Sequence, residues 1–262
     1  MRWVIGDVHG MRLALESLLA AISKRDSSPR YLFAGDYVNR GPDSRGVLNL
    51  LPSLPNASFV RGNHDDILDI ILSGTGYCDH PQKIDAVSAF RWFIQHGLAE
   101  TLVSYDADYA DLEYVAEHPT PEGVREAVSS IPVEHREFIH GLPPVIEEPD
   151  LFVAHAMWDV DAPDAGMAAK LGEDAADRFK ILWGRYSEKD IKAKKRWKRT
   201  GYFGHTPVQS YRHDYDEPLR GPDIVLLDTG AALTADGRLS AVCAETGDLV
   251  QVHRSGKAVE AA

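Results

Sequence analysis

Five times along this chain a short apolar run ends in small residues that flank side chains able to bind metals or phosphate. The segments are Gly6-Asp7-Val8-His9-Gly10, then Gly35-Asp36-Tyr37-Val38-Asn39-Arg40-Gly41, then Gly62-Asn63-His64-Asp65. Ala154-His155-Ala156 and Gly204-His205-Thr206-Pro207 complete the set. In open α/β sheets, loops gather at the C-terminal ends of strands and ligands bind there. The glycines suit tight turns and a close approach of backbone to ligand. Taken singly, an Asp in a Gly-Asp turn is a turn former and a His after a strand is an ordinary hydrogen-bonding residue. Five such segments with mixed carboxylate, amide and imidazole donors are too many for independent turns. That donor mixture suits Mn, Fe, Zn or Co better than Ca or a dedicated Mg site.

The runs between these segments predict the architecture. Arg2 to Gly6 reads as a buried strand, and Leu15, Leu18, Leu19 and Ile22 fall at helical spacing. Tyr31 to Ala34 and Ala57 to Val60 read as further strands, with a short helix around Val47 to Leu51 between them. Strand–helix–strand alternation implies parallel pairing. From about residue 65 to 149 the pattern turns helical, as in Ala86–Gln95 and Val124–Ile131, and predicts a mostly helical insertion within a single domain of residues 1–262. Strands resume at Leu151–Ala154, Tyr202–Phe203 and Ile224–Leu227. Leu239–Ala244 and Leu249–His253 flank Thr246-Gly247-Asp248 as a closing hairpin.

With 262 residues, 44% hydrophobic and 26% charged, the composition is that of a globular chain with an ample core. A formal net charge of -12 makes long nucleic acid a poor partner, since backbone binding calls for a basic surface. The basic run Lys189–Arg199 reads as a solvated face. No apolar run approaches the ~20 residues of a membrane span. A motif begins at Asp7, so a cleavable signal is not expected, and Cys78 and Cys243 suit a reducing cytosol.

The order GDVHG, GDYVNRG, GNHD, AHA, GHTP resembles the calcineurin-like metallophosphoesterases, an α/β fold with a β-sandwich flanked by helices. More narrowly, it is similar to the phosphoprotein phosphatase family in its short bacterial form. Arg40 carries that narrowing, together with the helical segment Phe93–Leu102, Ser104-Tyr105 and the stretch Ile131–Leu142. The resemblance implies two divalent metal ions, manganese foremost, in a cytoplasmic enzyme. Asp7 and His9 would bind the first ion, Asp36 would bridge, and Asn63, His155 and His205 would bind the second. It also implies a metal-held hydroxide as nucleophile, His64 with Asn39 as the proton-donating pair, and Arg40, Asn63 and Arg185 against the phosphate. Arg61 and Asp65 would give structural support, and Asp228 would be a packing feature nearby. Three positions depart from the family pattern, which usually has Asp at Asn39, Glu at Asp65 and Gly at Met157.

The leading expectation is therefore a serine/threonine protein phosphatase acting on phosphoproteins. Hydrolysis of dinucleoside polyphosphates, a phosphorylated small-molecule substrate, is the alternative. A nucleic-acid phosphodiesterase and a non-catalytic metal-binding scaffold rank lower. Arg40 and the acidic charge disfavour the phosphodiesterase, and the intact set of ligand types disfavours the scaffold.

Overall fold

The computed structural model describes residues 1–74, 84–173 and 175–259, so Cys78 lies outside the described residues. The first half runs β1 (Arg2–Ile5), α1 (Arg12–Arg25), β2 (Arg30–Phe33), α2 (Ser44–Leu50), β3 (Ala57–Phe59) and α3 (Asn63–Ser73). A helical stretch follows: α4 (Ala86–Phe93), a 3-10 turn at Ile94–His96, α5 (Leu98–Val103), α6 (Tyr109–Glu117), α7 (Pro121–Ala127) and α8 (Val133–His140). The second half is β4 (Val145–Glu147), β5 (Leu151–Ala154), α9 (Met167–Glu173), α10 (Ala175–Trp183), α11 (Glu188–Lys192), β6 (Thr200–Phe203), β7 (Leu219–Arg220), β8 (Ile224–Leu226), β9 (Arg238–Cys243) and β10 (Leu249–His253).

The strands form two five-stranded sheets, ordered β10-β9-β1-β2-β3 and β4-β5-β6-β8-β7. The first is antiparallel through β10-β9-β1 and parallel through β1-β2-β3, and the second is parallel through β5-β6-β8 with antiparallel strands β4 and β7 at its margins. The two sheets face each other. Val4, Leu32, Ala34, Val60, Leu151, Val153, Tyr202, Val225, Leu227 and Val242 form one apolar cluster between them. The alternate residues of the same strands, Trp3, Ile5, Tyr31, Phe33, Phe152, Phe203, Ile224 and Leu226, join a second cluster with helix residues such as Leu15, Leu18 and Ile22. Strands buried on both faces read as unbroken apolar runs, which is how they read in the sequence.

The observed elements differ from expectation in instructive places. The helix expected over Val124–Ile131 runs from Pro121 to Ala127 instead. Thr120 caps it by accepting from the Gly123 N–H at 3.0 Å, and Pro121 fits the first turn. The helical stretch ends in a strand, β4, which pairs antiparallel with β5. In the basic run, Arg199 is buried and lies 3.0 Å from Glu147, so part of that run holds the fold together. Among the described residues, no helix is long and apolar enough to cross a membrane.

One polar trio in the helical layer, in which Tyr105 and His135 are buried, has a consequence for stability. Tyr105 O–H donates to His135 Nδ1 at 2.6 Å, and His135 Nε2–H donates to Asn49 Oδ1 at 3.1 Å. Burial holds His135 below the ordinary histidine value, with the charge of Arg45 adding to the depression. Near pH 6.5 the unfolded chain therefore takes up a proton that the native chain refuses, and stability falls as pH drops from there toward the folded value. His135→Gln is expected to flatten the fall of melting temperature between about pH 6.5 and 5. Thermal melts across that window check this; an undiminished slope places the sensitivity elsewhere.

Candidate metal centre

Four of the motifs sit in loops after parallel strands and the third opens α3 after β3, and all of them meet at one end of the sandwich. The backbone there is unusual. Among the described residues, the non-glycine residues with positive φ are His9, Asp36, Asn39, Arg40, His205, Asn56 and Asp106. The first five belong to the motifs. A left-handed non-glycine residue costs about 1–3 kcal/mol, so it persists only where its surroundings over-determine it. Here the surroundings are specific. Asp36 C=O accepts from Val8 N–H (3.1 Å) and His9 N–H (2.8 Å), which ties the first two loops together. The Asp65 carboxylate accepts from the backbone N–H of Asp36 (2.8 Å), Tyr37 (2.9 Å) and Gly62 (2.9 Å). Its shorter side chain thus still pins the second loop to the start of α3.

Asp36 is the hub. Its Oδ2 lies 3.4 Å from His9 Nε2, which is itself 3.9 Å from Asp7 Oδ2. Its Oδ1 lies 3.4 Å from His155 Nε2. Asn63 Oδ1 is 2.9 Å from both His155 Nε2 and His205 Nδ1. The donors therefore fall into two groups that share one carboxylate. His9 Nδ1–H donates to Val38 C=O (2.9 Å) and His155 Nδ1–H to Ala34 C=O (2.8 Å), which turns the Nε2 atom of each ring into the cluster. Glycine is required alongside: a Cβ at Gly62 would collide with Asp36 Oδ1, and one at Gly204 with Asp7 Oδ1.

The electrostatics call for a cation. Burial, then the charges of Asp228 and Asp36, push Asp7 well above the usual carboxylate range. Burial would raise Asp36 too, but His155 and His64 overcome it and hold Asp36 well below that range. Against the cost of burial, Asp36 lifts His155 to about 9. Burial, aided by Arg40, lowers His9 to about 4, and it drives His64 and His205 well down. His205 Nε2 and Asp228 Oδ2 are buried without a hydrogen-bond partner. Buried carboxylates beside imidazoles, with orphaned polar atoms among them, suit divalent cations. Two sets of close donors cross the division into two groups: Asp7 and Asp36 also lie near His155, and His9 and Asp36 also lie near His64.

The remaining expected residues gather around this cluster. Arg40 Nη1–H donates to His9 Nε2 at 2.7 Å. Asn39 Nδ2 lies 2.9 Å from His64 Nδ1, so His64 faces a neutral amide. Arg185 is exposed, and its Nη1 reaches Thr206 Oγ1 (3.3 Å) next to His205. Arg61 lies outside the cluster and binds Asp66, Asp69 and the carbonyls of Ile139, His140 and Leu142, joining α3 to α8. Met157 packs its Cβ where a side chain at Gly184 would go, in the segment that carries Arg185.

Sequence reasoning missed three supports. Asp228, read as a packing residue, is a buried charge on the centre. Thr101 Oγ1 accepts from Asn39 N–H (2.8 Å) and donates to Asn39 Oδ1 (2.9 Å). Gly97 C=O accepts from Arg40 N–H at 3.1 Å. Nothing local marks Thr101 as such, but a glycine between two short helices was a signal for close approach. With φ of +94°, Gly97 has no room for a Cβ, which would strike the Arg40 backbone. Gly97→Ala is expected to shift Arg40 and lower kcat/KM on phosphate esters roughly 10- to 100-fold while metal content is kept. Kinetics with metal analysis checks it; unchanged kcat/KM shows that the loop tolerates the intrusion.

A sequence profile for calcineurin-like phosphoesterases matches residues 2–209. Locally, the chain is 43% identical over 74 residues to a symmetrical bis(5'-nucleosyl)-tetraphosphatase of Coxiella burnetii (strain Dugway 5J108-111), covering 28% of this chain and 25% of that one. It is 37% identical over 87 residues to the enzyme of the same name from Legionella pneumophila (strain Corby), covering 32% of each. These matches span about a quarter to a third of the curated relatives' length. The fold is shared with a crystal structure assigned provisionally as a diadenosine tetraphosphatase (TM-score 0.54, 24% identity, 96% of this chain and 92% of that one). It is also shared with the cold-active protein-tyrosine phosphatase of a psychrophilic Shewanella species (TM-score 0.51, 15% identity, 98% and 78%). A profile that runs from the first strand through the last motif leaves the assignment to one group: the chain belongs to the calcineurin-like phosphoesterase family, and it is a metallophosphoesterase.

Proposed function

We propose that this metallophosphoesterase hydrolyses dinucleoside polyphosphates of the diadenosine tetraphosphate type. The two-cation reading rests on one observation: the two oxygens of Asp36 face separate donor groups. Asp7, His9 and Asp36 would hold one ion, and Asp36, Asn63, His155 and His205 the other. The whole chain is read as one domain, with the helical layer inserted over the sandwich, and its free, buried Cys243 suits a reducing cytosol. Bound divalent cations supply Lewis acidity to phosphoryl oxygens and make water nucleophilic near neutral pH. Arg40 and Arg185 would orient the phosphate by charge-assisted forks. Asn39 would hold the His64 ring in place.

The substrate reading draws on the names of the tetraphosphatase relatives and on His64. Facing Asn39 and buried, His64 is held well below the ordinary histidine value even though the Asp36 carboxylate lies nearby. A nucleotide leaves as a stabilised anion and needs little help from an acid, whereas a serine alkoxide needs a proton. With manganese-loaded protein, kcat/KM for diadenosine tetraphosphate should exceed that for phosphoserine peptides by about tenfold or more, the equivalent of about 1.4 kcal/mol. The reverse order restores the serine/threonine phosphatase reading. That second reading has its own support: the segment Phe93–Tyr105, which resembles such phosphatases, is the one that holds Asn39 and Arg40.

Asn39→Asp probes the same chemistry. An added carboxylate raises the pKa of His64, so the acid keeps its proton to higher pH. The variant is expected to gain kcat on phosphoserine peptides more than on p-nitrophenyl phosphate, and to move the alkaline limb of the rate profile upward. Equal changes on both substrates mean that Asn39 does not tune the acid.

A further inference from the structure

A buried chain of hydrogen bonds runs from the helical layer to the metal centre. Ser44 at the start of α2 and Thr101 in α5 lie side by side, with their hydroxyl oxygens 2.9 Å apart. Both face Asn39. Thr101 Oγ1 accepts from the Asn39 backbone N–H at 2.8 Å and lies 2.9 Å from Asn39 Oδ1. Ser44 Oγ shares that N–H at 3.2 Å. Asn39 Nδ2 in turn lies 2.9 Å from His64 Nδ1. All four residues are buried, so each hydrogen needs an acceptor within the set.

The direction of the Asn39 amide follows from counting those hydrogens. Ser44 and Thr101 carry one hydroxyl hydrogen each. Among the described residues, Thr101 Oγ1 is the one acceptor in reach of the Ser44 O–H, so Ser44 donates to Thr101. Thr101 then accepts twice, from Ser44 and from the Asn39 N–H, and its own hydrogen goes to the side chain of Asn39. Only Oδ1 can take it. With the amide turned over, Nδ2 would donate to Thr101, the Thr101 hydrogen would point at Ser44, and the Ser44 hydrogen would be left unbonded in a buried place.

With Oδ1 committed to Thr101, an Nδ2–H points at His64, and the nitrogen it meets has to accept. His64 Nδ1 therefore presents its lone pair, and the proton of the neutral ring sits across it on Nε2. The ring borders the cluster, since one of its nitrogens lies within 4.8 Å of donor atoms of both His9 and Asp36.

We propose that Thr101, with Ser44 behind it, is a positioning residue that fixes the tautomer of His64, so that the ring offers its N–H from Nε2 to the leaving oxygen of the substrate. A hydrogen bond from a neutral ring suits a leaving group that departs as a stabilised anion, which deepens the reading proposed above. The device rests on His64 meeting the leaving oxygen and applies to any phosphate ester cleaved at this centre.

The test reads the ring directly. Full-length protein carrying nitrogen-15 histidine is loaded with zinc, which has a filled d shell and leaves the spectrum sharp. Two-bond nitrogen–proton correlations report which ring nitrogen bears the proton, and the set missing from His64→Gln identifies His64. The wild type is expected to show the proton on Nε2. Thr101→Val removes the hydroxyl and should bring in the form protonated on Nδ1. It should also lower kcat on phenyl phosphate about tenfold with KM within about twofold, a part of what a positioned proton donor supplies. Thr101→Ser keeps the hydroxyl and should keep the wild-type tautomer and most of kcat, which a loss of packing alone would not restore. A wild-type proton on Nδ1 overturns the proposal without any variant, and so does an unchanged ring in Thr101→Val. The comparison of diadenosine tetraphosphate with phosphoserine peptides decides the substrate separately, because the ring spectra need no turnover.

Discussion

Asp36→Asn is expected to lower kcat/KM roughly a thousand-fold or more, as the loss of several kcal/mol of charge stabilisation requires. The replacement has the same shape, so the backbone can persist. The Asp36 carbonyl still accepts from Val8 and His9, and its N–H still reaches Asp65. What disappears is the charge between the two donor groups. Asp36 Oδ1 and Oδ2 face His155 and His9 respectively, so one substitution weakens both sites. His155, lifted to about 9 by Asp36, also loses its counter-charge. Metal analysis and single-substrate kinetics check this together. A variant that kept two equivalents of metal and near-full turnover would show that another carboxylate bridges, and Asp7 or Asp228 would be next to replace.

Arg40→Ala is the second large effect. A charge-assisted, bidentate contact to a phosphate contributes about 1.5–3 kcal/mol, so a loss of roughly 10- to 150-fold in kcat/KM is expected. Metal content should not fall, since a guanidinium supplies no lone pair to a cation. Arg40→Lys should recover part of the loss, because it restores charge without the planar fork. Loss of metal in Arg40→Ala would show instead that the guanidinium holds the cluster together. The protein invests in this side chain: Asn39 and Arg40 both have positive φ, and Thr101, Ser44 and Gly97 bind their backbone N–H groups.

The candidate donor residues were legible because each rests on a local rule. Asp7, His9, Asp36, Asn63, His155 and His205 each lie just after an apolar run, and chain order alone places them near strand ends. The alternation of strand and helix likewise announced the parallel pairs β1-β2 and β2-β3. Other features had no local mark. β1, β2, β5 and β8 are buried on both faces, so they show no period from which to tell the inter-sheet face from the helix-covered one. The pairing of β9 with β1 joins opposite ends of the chain. Thr101 reads as an ordinary helix residue until it meets Asn39, and nothing in the sequence pairs Trp92 with Trp183, which stack at 5.5 Å.

By itself, then, the sequence determined the candidate donor residues, the strand–helix alternation and the place of Arg40 within the second motif, since spacing and turn residues act over a few positions. Only the tertiary structure decided that Asp36 lies between the donor groups, that Asp228 presses a third charge on them, and that the helical layer clamps Arg40. Those outcomes depend on the order of strands in two facing sheets and on the packing of helices against them. Strand order and packing bring together residues far apart along the chain, such as His205 and Asp7, whose contact at 2.9 Å leaves no trace in either residue's neighbours.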